Sequence, residues 1–465
     1  MRVFGGFLLA ALLAAGCDRD VPAPAASTSS SAPTAAVAEE EIARESARLN
    51  QWLDARFEER LDFSPLTKTA LGRKDDYDRI DDMSEAAGEA QRAWMRDSVA
   101  ELEREFDRDK LDPEARTSYD LWRYTFELGE AAYRFRRRGY VFHQMSGPHT
   151  GLPQALINFH RVDEEPDMVA YVTRLGELGR ALEQALEFAQ ISASEGVHAP
   201  RFAYDVVVQQ SRAIITGAPF DGPGDSPLFA DAKAKLASLV AGNKIDTARA
   251  DELRAAAETA LTERVGPAYE KLIAWVEVDR ELSDEHRLPR RYSRPSPADV
   301  DRQALTGLPL FRTMGGNEAY TEGWGLYAER LAKEMGGYED PYSELGRLEM
   351  EMLRAKRLVV DTGLHAKSWT EQQAVDYFLE GGASSEELVR TEVRRYIVRP
   401  GQATAYMVGM LKILELRERA RTALGDGFDI RAFHDVILGG GALPLEILER
   451  RVDDWIASMR PSMRR

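Results

Sequence analysis

The sequence has a single cysteine, Cys17, among its 465 residues. An intramolecular disulfide is therefore excluded, and so is a metal site built from paired cysteines. Histidine is also scarce, and none of the seven histidines forms a His-Glu-x-x-His pair, which places two zinc ligands and a general base on one helix face. A Walker-type phosphate loop and a Gly-x-Ser-x-Gly elbow are missing too. The familiar hydrolase and nucleotide-binding signatures are thus absent.

The sequence also lacks an excess of positive charge. Lys and Arg total 61 against 78 Asp and Glu, which gives a formal net charge of −17. Nucleic-acid phosphates demand a basic surface, so we expect no nucleic-acid partner. Hydrophobic residues make up 44% and charged residues 30%, a balance that is typical of a folded globular protein. The length suffices for one large core or about two to three domains.

No apolar run near the N-terminus is long enough to span a membrane. The run from Phe7 to Ala15 follows one basic residue and leads into Gly16 and Cys17, as in a secretory signal. The stretch "LAAGC" resembles a lipobox, with the leucine one place earlier than usual. We predict a lipoprotein signal at 1–17 with Cys17 acylated, and a protein of the periplasm or cell envelope anchored to a membrane by lipid. A plain signal peptide cut elsewhere is the alternative.

The rest of the chain divides by composition. Residues 18–38 are rich in Ala, Ser, Pro and Thr and predict a flexible linker. Apolar residues at three- and four-residue steps predict an N-terminal helical region at 39–285 and a C-terminal helical region at 304–465. The Pro- and Arg-rich stretch 286–303 predicts an irregular junction between them. With no alternating strand pattern, the predicted fold is all-α.

A helix with two glutamates is the first candidate for chemistry. Residues 317–331 read "NEAYTEGWGLYAERL", in which Glu318 and Glu322 lie one helical turn apart on the same face. Such a helix can present a carboxylate to a metal ion, with Trp324 and Tyr327 packed around the site. The alternative is a solvated helix with two surface glutamates.

A second candidate is the stretch "RLVVDTGLHAKSW" at 357–369. We predict that a helix runs through Asp361 and ends at Gly363, so that His365 follows it. Asp361 could then orient His365, with Arg357 one turn earlier. Equally, Arg357 and Asp361 could form a pair that steadies the helix end beside an incidental histidine.

The third candidate is the helix within "RPGQATAYMVGMLKILELRERA" at 399–420. Gln402 and Tyr406 share one face of this helix. They could donate hydrogen bonds to an oxyanion that develops during a reaction. A tyrosine that merely covers a hydrophobic core is the alternative reading.

Several of these segments resemble one family. "GLPLFRTMGGNEAYTEGWGLYAERLAKEMGGYEDPYSELGRLEMEMLRAKRLVVDTGLHAKSW", "PGQATAYMVGMLKILELRERA" and "FSPLTKTALG" resemble the bacterial family called domain of unknown function 885. The resemblance covers most of residues 45–455. It implies a large, mostly helical gluzincin-like zinc peptidase domain similar to thimet-type oligopeptidases. It also implies that Glu322 is the third zinc ligand, with His365 and Tyr406 as substrate or transition-state contacts.

The chain departs from that family at one place. Members carry an "HExxPGHH"-type helix shortly before the segment equivalent to "TGLPLF", where this chain has "RRYSRPSPADVDRQA". The domain thus looks internally shortened, without both histidine ligands and the general base. Glu322 alone cannot hold a zinc ion, so we expect none to be bound.

Three interpretations remain open. The chain is a shortened, inactive product of a metallopeptidase-like family. Or it is a pseudoenzyme that binds peptides as a lipoprotein. Or it is an active peptidase that uses substitute ligands such as His286 and His365.

Overall fold

The computed structural model describes residues 32–283, 308–380 and 385–459. Helices make up most of these ranges, joined by turns, loops, 3-10 segments and a π-helical stretch at Leu261–Val265, and the extended contacts within them are isolated β-bridges. The predicted all-α fold is confirmed. None of the helices in these ranges is both long and apolar enough to cross a membrane. In chain order the helices are α1 (Ala32–Leu61), α2 (Pro65–Ala70), α3 (Glu85–Glu105), α4 (Pro113–Tyr133), α5 (Pro148–Phe159), α6 (Glu165–Ser194), α7 (Arg201–Ile214), α8 (Pro227–Ala241), α9 (Thr247–Ala260), α10 (Gly266–Leu282), α11 (Leu310–Met314), α12 (Glu318–Glu334), α13 (Pro341–Ala366), α14 (Glu371–Leu379), α15 (Glu386–Val398), α16 (Ala405–Leu424), α17 (Ile430–Leu438) and α18 (Leu445–Met459).

The helical part begins earlier than the sequence predicts. α1 starts at Ala32 rather than near residue 39, so the end of the predicted linker at 18–38 is helical. The predicted signal at 1–17 and the predicted junction at 286–303 lie outside the described residues.

Local signals in the sequence fix several helix ends. The side chain of Thr370 accepts a hydrogen bond from the backbone N–H of Gln373, whose side chain accepts one from the N–H of Thr370. This capping box starts α14. α2 has a proline in its first turn and ends just before Gly72, which has a φ of +79°. Short-range chemistry thus sets these boundaries before any packing is considered.

The buried side chains form three clusters. The largest joins α5–α10 to α13, α14 and α15, the second joins α12 to α16–α18, and the third joins α1, α3 and α4 to Phe311 of α11. Because α13–α15 share a core with α5–α10, the two predicted helical regions do not have separate cores. Burial of this apolar surface supplies the main driving force for folding.

Arg312 connects two of these clusters through polar contacts. Its buried guanidinium donates to the carboxylate of Glu114 at 3.1 Å and to the hydroxyl of Ser118 at 3.2 Å, both on α4. It also donates to the carbonyl oxygen of Gly440 before α18. A buried charge is tolerated only when it is paired and hydrogen-bonded in this way.

Helices α12 and α16 cross in close backbone contact. A Cβ atom added to Gly409 would lie 1.7 Å from the carbonyl oxygen of Ala319, and one added to Gly323 would lie 2.4 Å from the Cα of Gly409. The two backbones therefore touch without side chains between them. Only glycine fits at these two positions.

Alanine at this crossing is expected to push the helices apart. Gly409→Ala should lower the free energy of unfolding by about 3 kcal/mol, since the obstacle is backbone that cannot rotate away. Gly325→Ala is the matched control on α12, because its Cβ would meet no atom within 4 Å. That variant should be neutral or gain up to ~1 kcal/mol. Urea unfolding measures both, and a Gly409→Ala protein as stable as the wild type would refute the close approach.

Candidate functional site

Polar and charged side chains converge beside the crossing of α12 and α16, around the ring of Tyr406. They come from α12, α13, α15, the turn that follows α15, and α16. We call this group the Tyr406 cluster. Its members are Glu318, Glu322, Arg354, Arg357, Asp361, Glu392, Arg395, Tyr396, Arg399, Gln402 and Tyr406.

The glycine crossing brings Glu322 and Tyr406 together. Glu322 directly precedes Gly323, and Tyr406 lies one turn before Gly409. Burial raises the pKa of the Tyr406 phenol. The Glu322 carboxylate raises it further, because the phenol donates a hydrogen bond to it and because a second negative charge there is unfavourable. Gln402 acts in the opposite direction through a hydrogen bond to the same hydroxyl. The Tyr406 proton is therefore held in place, so the phenol is a hydrogen-bond donor at neutral pH.

Two guanidinium groups flank the Tyr406 ring. The central carbon of Arg357 lies 5.0 Å from the ring centroid, and that of Arg354 lies 5.7 Å from it. Arg357 is buried and donates to the Tyr396 hydroxyl and to the Glu392 carboxylate, both at 2.9 Å. The Tyr396 hydroxyl in turn donates to Glu392 at 2.7 Å. Charge-assisted bonds of this kind fix the geometry of one side of the cluster.

Glu318 is engaged in an ion pair. Its carboxylate accepts a hydrogen bond from Arg399 at 3.1 Å. Burial raises the pKa of Glu318, and the neighbouring charge of Glu322 acts in the same direction, while Arg399 and Arg395 oppose both. Of Glu318 and Glu322, the latter is thus the one that faces Tyr406.

Asp361 anchors the turn that enters α16. Its two carboxylate oxygens accept hydrogen bonds from the backbone N–H of Gly401 at 3.0 and 3.1 Å. Gly401 has a φ of +83°, a conformation that favours glycine. Burial raises the pKa of Asp361 to about 6, and the Gly401 N–H offsets this only in part. The turn beyond it carries Gln402 into the cluster.

The prediction that Gly363 ends a helix was wrong. α13 continues to Ala366, and Gly363 lies inside it because the Trp369 ring packs onto this position, where a Cβ would lie 2.4 Å from ring carbons. The Nε2 of His365 is hydrogen-bonded to the carbonyl oxygen of Tyr396 at 3.0 Å. Asp361 and His365 lie one turn apart on the same helix and contact different partners.

Trp324 and Tyr327 do not pack around Glu322, as the sequence was taken to indicate. Tyr327 is fully buried, and its hydroxyl is hydrogen-bonded to the Nε2 of His434 at 2.9 Å. The Trp324 ring lies edge-on to the same histidine, with 5.5 Å between centroids. Positions two and five residues after Glu322 fall on the far side of a helix, which explains the difference.

The sequence reasoning missed the contribution of α15. Glu392, Arg395 and Arg399 enter the cluster from this helix and its end. They belong to no motif, and an arginine-rich helix is usually a solvated surface. The one available signal was the recurrence of arginine at 394, 395 and 399 shortly before the Pro-Gly turn at 400–401.

The side chains around Glu322 do not suit a zinc ion. Zinc in proteins requires about three or four nitrogen, sulfur or carboxylate ligands. No group of three or more His, Cys, Asp or Glu side chains in the described ranges is placed to hold a metal ion. The neighbours of Glu322 are instead the phenol of Tyr406 and the ion pair of Glu318 with Arg399. Nearby guanidinium groups would repel a dication. The candidate ligand His286 lies outside the described residues.

Comparisons with known proteins give a family and a fold. The profile of the family described as "Bacterial protein of unknown function (DUF885)" matches residues 65–297 and 302–452. A search of curated proteins gives no match. A protein from Colwellia psychrerythraea, described as a "putative lipoprotein", shares the fold with a TM-score of 0.75 and 20% identity, over 89% of this chain and 99% of its own. A "putative lipoprotein of unknown function" from Shewanella oneidensis has a TM-score of 0.64 and 15% identity, over 86% and 99%.

Replacing Asp361 is expected to change how stability depends on pH. The folded-state pKa of about 6 lies above the value of ~3.9 in an unfolded chain, so the contribution of Asp361 to stability is complete below about pH 4. It is lost as the pH rises through 6. Asp361→Asn keeps an acceptor for Gly401 and carries no charge.

The free energy of unfolding of Asp361→Asn, relative to that of the wild type, should therefore rise by up to ~3 kcal/mol between pH 4 and pH 7. Chemical denaturation at a series of pH values measures the difference. Parallel curves for the two proteins would contradict the assigned burial of the Asp361 carboxylate.

Proposed function

Since the chain belongs to the DUF885 family, we propose that it is a non-hydrolytic member, an envelope lipoprotein that binds peptides at the Tyr406 cluster without cleaving them. The observation that carries this proposal is the composition of the cluster. It offers positively charged hydrogen-bond donors and negatively charged acceptors around an aromatic ring, and the described ranges hold no set of metal ligands. Such convergent polar groups beside an apolar surface are typical of a ligand site.

Ligand counting argues against hydrolysis. Peptide hydrolysis by a metallopeptidase needs a metal-bound water and a base that accepts its proton. In the cluster, Glu318 is paired with Arg399 and Glu392 with Arg357, so these carboxylates are neutralised by cations. Asp361 is bound to the backbone N–H of Gly401. That leaves Glu322, and a single carboxylate does not make a metal centre.

An uncovered apolar face on α13 supports a shortened domain. Leu345, Leu348 and Met352 follow each other at helical spacing and are 53%, 47% and 58% exposed. A stripe of this kind normally packs against another helix. Loss of a covering block from an ancestral peptidase would leave such a face open. The shortened-product and the pseudoenzyme interpretations are therefore compatible with each other.

The peptide assignment follows from the chemistry of the cluster. An extended peptide presents backbone N–H and C=O groups together with charged ends. The Glu322 carboxylate, which also accepts from the Tyr406 hydroxyl, can accept from a peptide N–H, and the Gln402 amide can donate its second N–H to a carbonyl. The Tyr406 ring supplies apolar contact area between these groups.

The purified protein is expected to bind no zinc at a 1:1 ratio and to leave peptides uncut. Metal analysis and a peptide-library assay by mass spectrometry measure the two properties, with Glu322→Ala as the comparison. In the same assay, intact peptides should be retained by the wild type and less well by the variant. One zinc ion per chain, together with cleavage that the variant loses, would overturn the proposal and favour an active peptidase with substitute ligands.

The anchor is tested separately. Membrane attachment is expected to depend on the Cys17 thiol, because acylation of that residue is what would insert lipid into the bilayer. Fractionation of cells that produce wild type or Cys17→Ala should move the variant from the membrane to the soluble fraction. Equal membrane association of both proteins would mean that Cys17 is not the anchor.

A further inference from the structure

One cation of the Tyr406 cluster has no counter-ion among the residues that the structure describes. Arg357 is paired with Glu392 at 2.9 Å, Arg399 with Glu318 at 3.1 Å, and Arg395 with Glu392 at 3.6 Å. Arg354 is the exception. No carboxylate of the described ranges lies within ion-pair distance of its guanidinium.

The contacts that Arg354 does make are weak ones for a charged group. One terminal nitrogen donates to the backbone carbonyl of Met350 at 3.2 Å and lies 3.1 Å from the sulfur of that residue. Its Nε is buried and has no hydrogen-bond partner in the described chain. A buried donor left without an acceptor is unfavourable, so the Arg354 Nε–H is suited to donate to an acceptor atom of a ligand.

Arg354 also lies beside the Tyr406 ring, where the peptide is proposed to bind. Its guanidinium carbon lies 5.7 Å from the centroid of the Tyr406 ring, and that of Arg357 lies 5.0 Å from the same centroid. An anion that approaches Arg354 along this ring is attracted by both cations. The apolar ring excludes water, which strengthens the attraction.

We propose that Arg354 receives a carboxylate of the bound peptide. The proposal rests on the proposed function, since it names the group that the Tyr406 cluster recognises. A carboxylate fits because its two oxygens match the planar fork of a guanidinium, and Arg354 brings the charge that no residue of the described chain neutralises. The C-terminus of a peptide and the side chain of Asp or Glu both supply this chemistry.

Three peptide pools test the proposal by fluorescence anisotropy with the full-length protein. The first pool holds labelled neutral hexapeptides with a free C-terminal carboxylate, the second holds the same peptides amidated, and the third holds amidated peptides that end in glutamate. Amidation should weaken binding to the wild type about tenfold or more, the usual loss for one charge-assisted contact. Full recovery with the third pool would show that a side-chain carboxylate can replace the C-terminal one at Arg354, and no recovery would show that Arg354 requires the C-terminal carboxylate.

Variants assign the effect to one residue. Arg354→Gln should bind the free-acid and amidated pools equally, and Arg354→Lys should keep part of the preference because it retains the charge without the fork. Arg347→Gln is the matched control on the same helix, since that guanidinium is already paired with Glu344 at 2.9 Å and with Glu351 at 2.7 Å. It should keep the wild-type preference. Circular dichroism confirms that each variant is folded.

Failure of the inference differs from failure of the proposed function. Equal binding of the free-acid and amidated pools by the wild type would overturn the role of Arg354 and leave peptide binding intact. A preference that survives in Arg354→Gln, or is lost in Arg347→Gln, would overturn it as well. If no pool binds at all, the proposed function falls, and the inference falls with it.

Discussion

The candidate site depends on the backbone contact between α12 and α16. At Gly323 and Gly409 the two helices approach so closely that a Cβ atom on either residue would collide with main-chain atoms of the other helix. This contact fixes the distance between the glutamate helix and the tyrosine helix. Glu322 and Tyr406, which flank the two glycines, meet because of it. Any larger residue at the crossing would push the helices apart and separate Glu322 from Tyr406.

The other half of the cluster is positioned from a different core. α13 and α15 bury their apolar faces together with α5–α10, whereas α12 and α16 belong to the cluster shared with α17 and α18. The Tyr406 cluster therefore lies where two hydrophobic clusters meet. Charges at such a boundary are partly shielded from water, so they must be paired. Most are paired here, and within the described ranges Arg354 is the cluster cation that has no carboxylate within ion-pair distance.

The helical class could be predicted because it depends on local information. Periodic apolar residues and the capping box at Thr370 are visible in the sequence, and the structure has both. Positions that depend on packing could not be predicted. Gly363 resembles a helix end, yet the Trp369 ring holds it inside α13. Trp324 packs against His434, a residue more than a hundred positions away in the chain.

The same limit applies to the candidate site. Glu322 and Tyr406 carry recognisable patterns in the sequence, but nothing in the sequence says that a glycine pair brings them into contact. Arg354 belongs to no recognisable sequence pattern. It is a candidate because no carboxylate of the described chain lies within ion-pair distance of it. Long-range packing decides both facts.

A crystal structure of the protein grown with zinc and a peptide, with diffraction recorded at the zinc absorption edge, would show whether the Tyr406 cluster holds a peptide or a metal ion. We expect electron density for the intact peptide beside the Tyr406 ring and no anomalous peak within bonding distance of Glu322. An anomalous peak bound by Glu322 and histidine ligands would contradict this expectation and would restore the metallopeptidase interpretation.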